Sequence, residues 1–129
     1  MRPWWSGAAV LLALCGCGSG DLVLQDLAVN VPLNGTRVAF DNKDKLKVKI
    51  LASAGEPINL YLFKEADEAV VAPEVRQGIV TARVLSHQEK STAIELEPTL
   101  PAKSRVVVLI LRADLSKPTN AQLKITAKK

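Results

Sequence analysis

The 129-residue chain has one histidine, His87, and two cysteines, Cys15 and Cys17. Soft ligands are therefore too few for a zinc site. Aromatic residues make up 4% of the chain, and Trp4 and Trp5 both lie close to the N-terminus. Phe40, Tyr61 and Phe63 are left as stacking platforms, too few for a nucleic-acid surface or a sugar site built on exposed rings. No apolar run approaches the roughly 20 residues that cross a bilayer. Charge of one sign is also scarce: 17 Lys and Arg face 13 Asp and Glu, a formal net charge of +4. What is present is ordinary for a folded domain, with 48% hydrophobic and 23% charged residues, and the length suits one domain.

Near the N-terminus, Arg2 precedes the apolar run Ala8-Ala9-Val10-Leu11-Leu12-Ala13-Leu14 and the small-residue segment Cys15-Gly16-Cys17-Gly18-Ser19-Gly20. A charged start, a short apolar stretch and a small-residue exit are the layout of a secretory signal peptide. Leu14-Cys15-Gly16-Cys17 resembles the bacterial lipobox, with Leu three positions and Gly one position before the acceptor; the departure is Cys15, where a small or hydroxyl residue is usual. The resemblance implies cleavage before Cys17 and lipidation of Cys17 with a diacylglyceryl group and a further acyl chain. Each buried methylene adds about 0.8 kcal/mol of membrane affinity, so several chains anchor where one only visits. By the same resemblance, Gly18 in place of Asp implies the outer membrane. Cleavage would also remove Cys15, so the fold would stand on its apolar core without disulfides. The expected organisation is a lipoprotein signal peptide over residues 1–16, a lipidated tether over 17–21 and one β-domain over 22–129.

Period-two alternation dominates the remainder. In Lys45-Leu46-Lys47-Val48-Lys49-Ile50 the apolar residues share one face and the lysines the other, the mark of a half-buried strand. Further strands are expected at Leu22–Val31, Thr36–Phe40, Ile58–Phe63, Ile79–Ser86, Thr92–Glu97, Arg105–Arg112 and Gln122–Ala127. Breaks are expected at Gly55-Glu56-Pro57, at Ser86-His87-Gln88-Glu89-Lys90 and wherever else Pro, Gly, Asn and Asp cluster. The segment from Arg105 to Leu111 is apolar on both faces, which predicts a central strand covered on both sides. One helical stretch, Lys64–Val71, reads as a short surface turn ended by Pro73, and the basic C-terminus from Lys124 as a solvated end. These features predict an all-β fold, a single antiparallel β-sandwich of about seven to eight short strands.

The order of Gly55-Glu56-Pro57-Ile58-Asn59-Leu60-Tyr61-Leu62-Phe63, Leu100-Pro101-Ala102-Lys103-Ser104-Arg105-Val106-Val107-Val108 and Leu123-Lys124-Ile125-Thr126 resembles bacterial pre-peptidase C-terminal and GOLD-like β-sandwich domains. The resemblance spans about residues 32–129. It implies a non-catalytic accessory module and carries over no catalytic residue.

No constellation for catalysis stands out. Ser86 or Ser91, His87 and Asp114 could form a triad on paper, but no nucleophile-elbow motif accompanies them. Asp41 with Asp44, and Glu65 with Asp67 and Glu68, are carboxylates a calcium ion could touch, yet Asp41-Asn42-Lys43-Asp44 lacks the spacing and terminal Glu of a calcium loop. Glu95 and Glu97 share a strand face as solvent carboxylates. The row Lys45, Lys47, Lys49 offers an anionic partner a contact, but lysines on a wet face also serve to prevent edge pairing. The expectation is a lipid-anchored, non-catalytic module of the cell envelope with no cofactor and no metal. It would meet the membrane through its anchor, meet an envelope protein partner and bind no nucleic acid. The alternative is an accessory module for glycans or a divalent ion, with Tyr61 and the 41–44 turn as contacts.

Overall fold

A computed structural model describes residues 21–42, 47–101 and 103–128. Cys17, the signal segment, Asp44 and Lys45 lie outside the described residues. Among the described residues six strands appear: β1 (Asp21–Val31), β2 (Thr36–Asn42), β3 (Lys47–Lys64), β4 (Val84–Leu96), β5 (Ser104–Arg112) and β6 (Thr119–Lys128). Between β3 and β4 lie a short 3-10 turn, Glu65–Asp67, and helix α1 (Glu68–Arg76).

All pairing is antiparallel, in the order β1-β6-β3-β5-β2 with β4 also on β3. Strand β3 holds this arrangement together. Its first half pairs with β6, from Lys47↔Lys128 to Ala54↔Ala121, and its second half with β5, from Ile58↔Arg112 to Lys64↔Val106. Strand β4 follows it along both halves. The change of partner falls at Gly55-Glu56-Pro57, where the register breaks between Ser53 and Ile58. Proline has no N–H for a ladder, and a glycine there packs no side chain. The backbone groups released are satisfied locally: the Glu56 N–H donates to the Thr119 hydroxyl at 3.2 Å, and the Ala113 N–H to the Pro57 carbonyl at 3.1 Å. On the far side the Gln25 side chain donates to the Ala39 carbonyl at 3.4 Å, linking β1 to β2. The sheet is thereby nearly closed into a barrel.

The sequence therefore misleads on strand number. Two expected pairs of short strands each merge into one long strand, because Gly55-Glu56-Pro57 and Glu89-Lys90 make bulges instead of turns, although of the expected Ile79–Ser86 only Val84–Ser86 is strand. Lys90 takes φ 54°, and its N–H donates to the Asn59 side-chain oxygen at 2.8 Å, so β4 continues through the segment expected to be a loop. The helix is also longer than expected. Pro73 lies inside it and is exposed, while Val71, Ala72 and Val75 are buried. The C-terminal segment is a strand rather than a solvated end, with Ile125 and Ala127 buried.

Alternation then sorts the core into two layers. Ile50, Ile58, Leu60, Leu62, Val106, Val108, Ile110, Leu123 and Ile125 fill the interior. The opposite faces of β3 and β5, with Tyr61, Phe63, Val107, Leu109 and Leu111, are covered by α1. The double-sided apolar reading of β5 thus holds, and α1 is its second cover. Each such side chain contributes about 1.5–3 kcal/mol on burial.

The β1–β2 connection has little freedom. Gly35 sits at φ +84° and donates its N–H to the Pro32 carbonyl at 2.9 Å. A β carbon there would come within 2.2 Å of Leu111 Cδ2 and 2.7 Å of the Ile110 carbonyl oxygen. Gly35→Ala should lower unfolding stability by about 1–3 kcal/mol, read as a lower denaturation midpoint; an unchanged midpoint would show that the turn is not pinned against β5.

Candidate functional site

Burial removes Tyr61 from the surface. The side chain is 1% exposed, its hydroxyl donates to the Glu89 carboxylate, and its ring stacks on His87 at a centroid separation of 6.0 Å and an interplanar angle of 9°. Cross-strand pairing sets this contact, since Tyr61 and His87 are directly opposed on β3 and β4. His87 is consequently an exposed strand residue rather than a turn residue. Burial, and then the bond to Glu89, hold the Tyr61 phenol well above its ordinary pKa.

The remaining triad candidates turn elsewhere. Asp114 accepts the Ser116 hydroxyl at 2.7 Å and the Ser116 N–H at 3.0 Å, which hold its carboxyl below the ordinary range. Ser91 accepts a bond from Gln88 at 3.0 Å. Glu95 is exposed and pairs with Lys49 at 3.4 Å, so part of the lysine row is neutralised on its own face. Among the described residues no three His, Cys, Asp or Glu side chains are grouped to hold a metal ion.

Carboxylates offered for calcium instead clip the helix to the sheet. Glu68 takes a two-point contact from Arg37, at 2.6 and 2.9 Å. Glu65 accepts from both Arg37 at 3.2 Å and Arg105 at 3.0 Å, and Arg105 continues to Asp41 at 3.1 Å. These exposed pairs contribute little to stability. Their effect is positional: they fix the start of the helical segment over β2 and β5.

Two concavities stand out among the described residues. A groove of about 540 Å³ on the outer face of β1, β6 and β3 is lined by Ala28, Asn30, Ser53, Gly55, Asn120 and Gln122, among others, and no lining residue is ionisable. It forms where small outward residues coincide with the departure of β3 from β6. The second, about 360 Å³, is lined by Asp41, Asn42, Lys103, Ser104 and Arg105. Asn42 is 1% exposed; its side-chain N–H donates to the Pro101 carbonyl at 2.9 Å, and the Ser104 hydroxyl donates to the same carbonyl at 2.6 Å. Sequence reading placed Asn42 in a solvated 41–44 turn, whereas it is a buried strand residue. The signal was its parity, since alternation from Val38 and Phe40 points it inward.

Comparison with solved structures places this fold beside a known one. The pre-peptidase C-terminal domain of collagenase from Bacillus anthracis matches with a TM-score of 0.57 at 9% identity, over 79% of this chain and 88% of that chain. The Yersinia pseudotuberculosis-derived mitogen matches at 0.45 and 10% identity, over 80% and 84%. A periplasmic inhibitor of g-type lysozyme from Aeromonas hydrophila matches at 0.40 and 8%, over 86% and 87%. The chain shares the fold of the first. No protein-family model and no curated protein matches the chain.

Tyr61 is the sole tyrosine, so its ionisation can be followed alone. A folded pKa raised above the unfolded value stabilises the fold below about pH 10, and that contribution is lost as pH rises further. Tyrosinate absorbance should therefore appear only together with alkaline unfolding. A reversible titration near the ordinary tyrosine pKa with the fold intact would contradict the burial of Tyr61 and its bond to Glu89.

Proposed function

We propose that the chain is a lipid-anchored, non-catalytic module of the bacterial cell envelope that recognises an envelope protein partner. The observation that carries the anchor lies in the sequence: the apolar run Ala8–Leu14 leads into the lipobox-like Leu14-Cys15-Gly16-Cys17. An acyl chain on Cys17 would hold the domain close to the membrane surface. In favour of recognition over catalysis stands the bond that occupies the triad candidate Asp114, on Ser116. The fold shared with a pre-peptidase C-terminal domain is compatible with an accessory role. Within the alternative reading, the uncharged, amide-lined groove favours a polar neutral ligand such as a glycan over a divalent ion.

Cys17→Ala should move the protein from the membrane fraction to the soluble fraction. The intact mass of the wild-type protein should equal residues 17–129 plus diacylglyceryl, with or without a further acyl chain. Unchanged detergent partitioning of the variant, or an unmodified wild-type mass, would refute the anchor.

A further inference from the structure

Strand register brings three carboxamides to one outward patch beside the bulge. On β6, Asn120 and Gln122 point away from the core because Ala121 and Leu123 point into it. Asn30 of β1 lies directly opposite Asn120, and Gln122 stands between Ala28 of β1 and Ser53 of β3. Successive outward residues on a strand are roughly 7 Å apart and neighbouring strands about 4.8 Å, so the three amides fall within the span of about one sugar ring and its substituents. All three are exposed, and none forms a side-chain hydrogen bond among the described residues. The floor between them is low. Ala28 carries a methyl group, Ser53 a hydroxymethyl group and Gly55 no side chain, which leaves the groove of about 540 Å³.

Charge around the patch is balanced. No lining residue is ionisable. Beyond one end Asp26 and Lys124 are directly opposed across the β1–β6 ladder, and beyond the other Lys117 pairs with Glu56 at 3.7 Å. An ionic ligand therefore meets no net countercharge there, a metal ion no carboxylate, and an aromatic ring or acyl chain no large apolar platform. A neutral ligand dense in hydroxyl and amide groups does match. Each carboxamide donates through its NH2 and accepts through its oxygen, so it satisfies both functions of a sugar hydroxyl or both halves of an acetamido group. The methyl of an acetamido group in turn fits the shallow floor formed by Ala28 and Gly55.

We propose that this groove binds a neutral glycan of acetamido sugars, held by Asn30, Asn120 and Gln122 over Ala28, Ser53 and Gly55. Binding there rests on the glycan alternative given above and is independent of an anchor at Cys17.

The test uses the full chain carrying Cys17→Ala, titrated calorimetrically with N,N′,N″-triacetylchitotriose and with maltotriose. The acetylated trisaccharide should bind at least about tenfold more tightly than maltotriose, and Asn120→Ala and Gln122→Ala should each weaken it about three- to tenfold through lost hydrogen bonds. Ala28→Trp, which fills the groove, should abolish binding. Gln77→Ala, which removes an exposed amide at the end of α1, should leave it unchanged. The substituted side chains are exposed, so the variants should keep the wild-type denaturation midpoint; should Ala28→Trp not fold, Asn120→Ala carries the comparison. Equal binding of the two sugars, or an affinity unchanged by Asn120→Ala and Gln122→Ala, would overturn the proposal and leave the amides to water. Triacetylchitotriose binding that survives Ala28→Trp would reject the groove and keep the glycan reading, whereas binding of neither sugar would reject both.

Discussion

One strand is shared by both halves of the barrel, and the other elements are placed by it. Strand β3 gives Lys47–Ala54 to β6 and Ile58–Lys64 to β5, while β4 borders both segments. A strand that simply stopped at Gly55 would leave β6 and β5 with no shared partner strand. Continuity through a bulge lets the side chains of Ile50, Ile58, Leu60 and Leu62 enter one interior. The bulge is tolerated because its exposed polar groups find fixed partners, Thr119 for Glu56 and Ala113 for Pro57. A buried peptide group without such partners would cost more than the turn's local preferences could offset.

From this constraint the locations open to function follow. The outer faces of β3 and β5 are occupied by α1, fixed by the chain of ion pairs from Glu68 through Arg37, Glu65 and Arg105 to Asp41. Among the described residues, the accessible concavities include the uncharged groove beside the bulge and a charged pocket lined by Asp41, Asn42, Lys103, Ser104 and Arg105. They differ in chemistry because they differ in origin. The groove is the gap left where β3 leaves β6, whereas the pocket lies where β2 ends and the loop around Pro101 leads into β5. Arg105 lines the pocket and also holds Glu65 in the helix clip.

Alternation was legible from the residues themselves. Val48 and Ile50 are buried while Lys47 is exposed, and the residues from Val106 to Leu111 are buried on both faces. The misreadings have a common cause, namely contacts made by residues far apart in the chain. Gly55-Glu56-Pro57 has the composition of a turn, and only Thr119, on another strand, makes it a bulge. Lys90 depends in the same way on Asn59. Pro73 locally signals a helix end, but burial of Val71, Ala72 and Val75 on the layer around Phe63 and Leu109 carries the helix past it. Asn42 was hidden by its neighbours: Asp41-Asn42-Lys43-Asp44 reads as a solvated turn, although strand parity points Asn42 inward. Cys17 is a different case, a motif followed by a short spacer, and no packing argument bears on it.

Residue-resolved amide hydrogen exchange along β3 tests the shared-strand account most directly. The account predicts that Val48–Ala52 and Leu60–Phe63 open together, with one free energy and one denaturant dependence, because neither half has a complete sheet without the other. Separate openings of the two halves, with the β6 side exchanging while the β5 side stays protected, would show two independent sheets and contradict it.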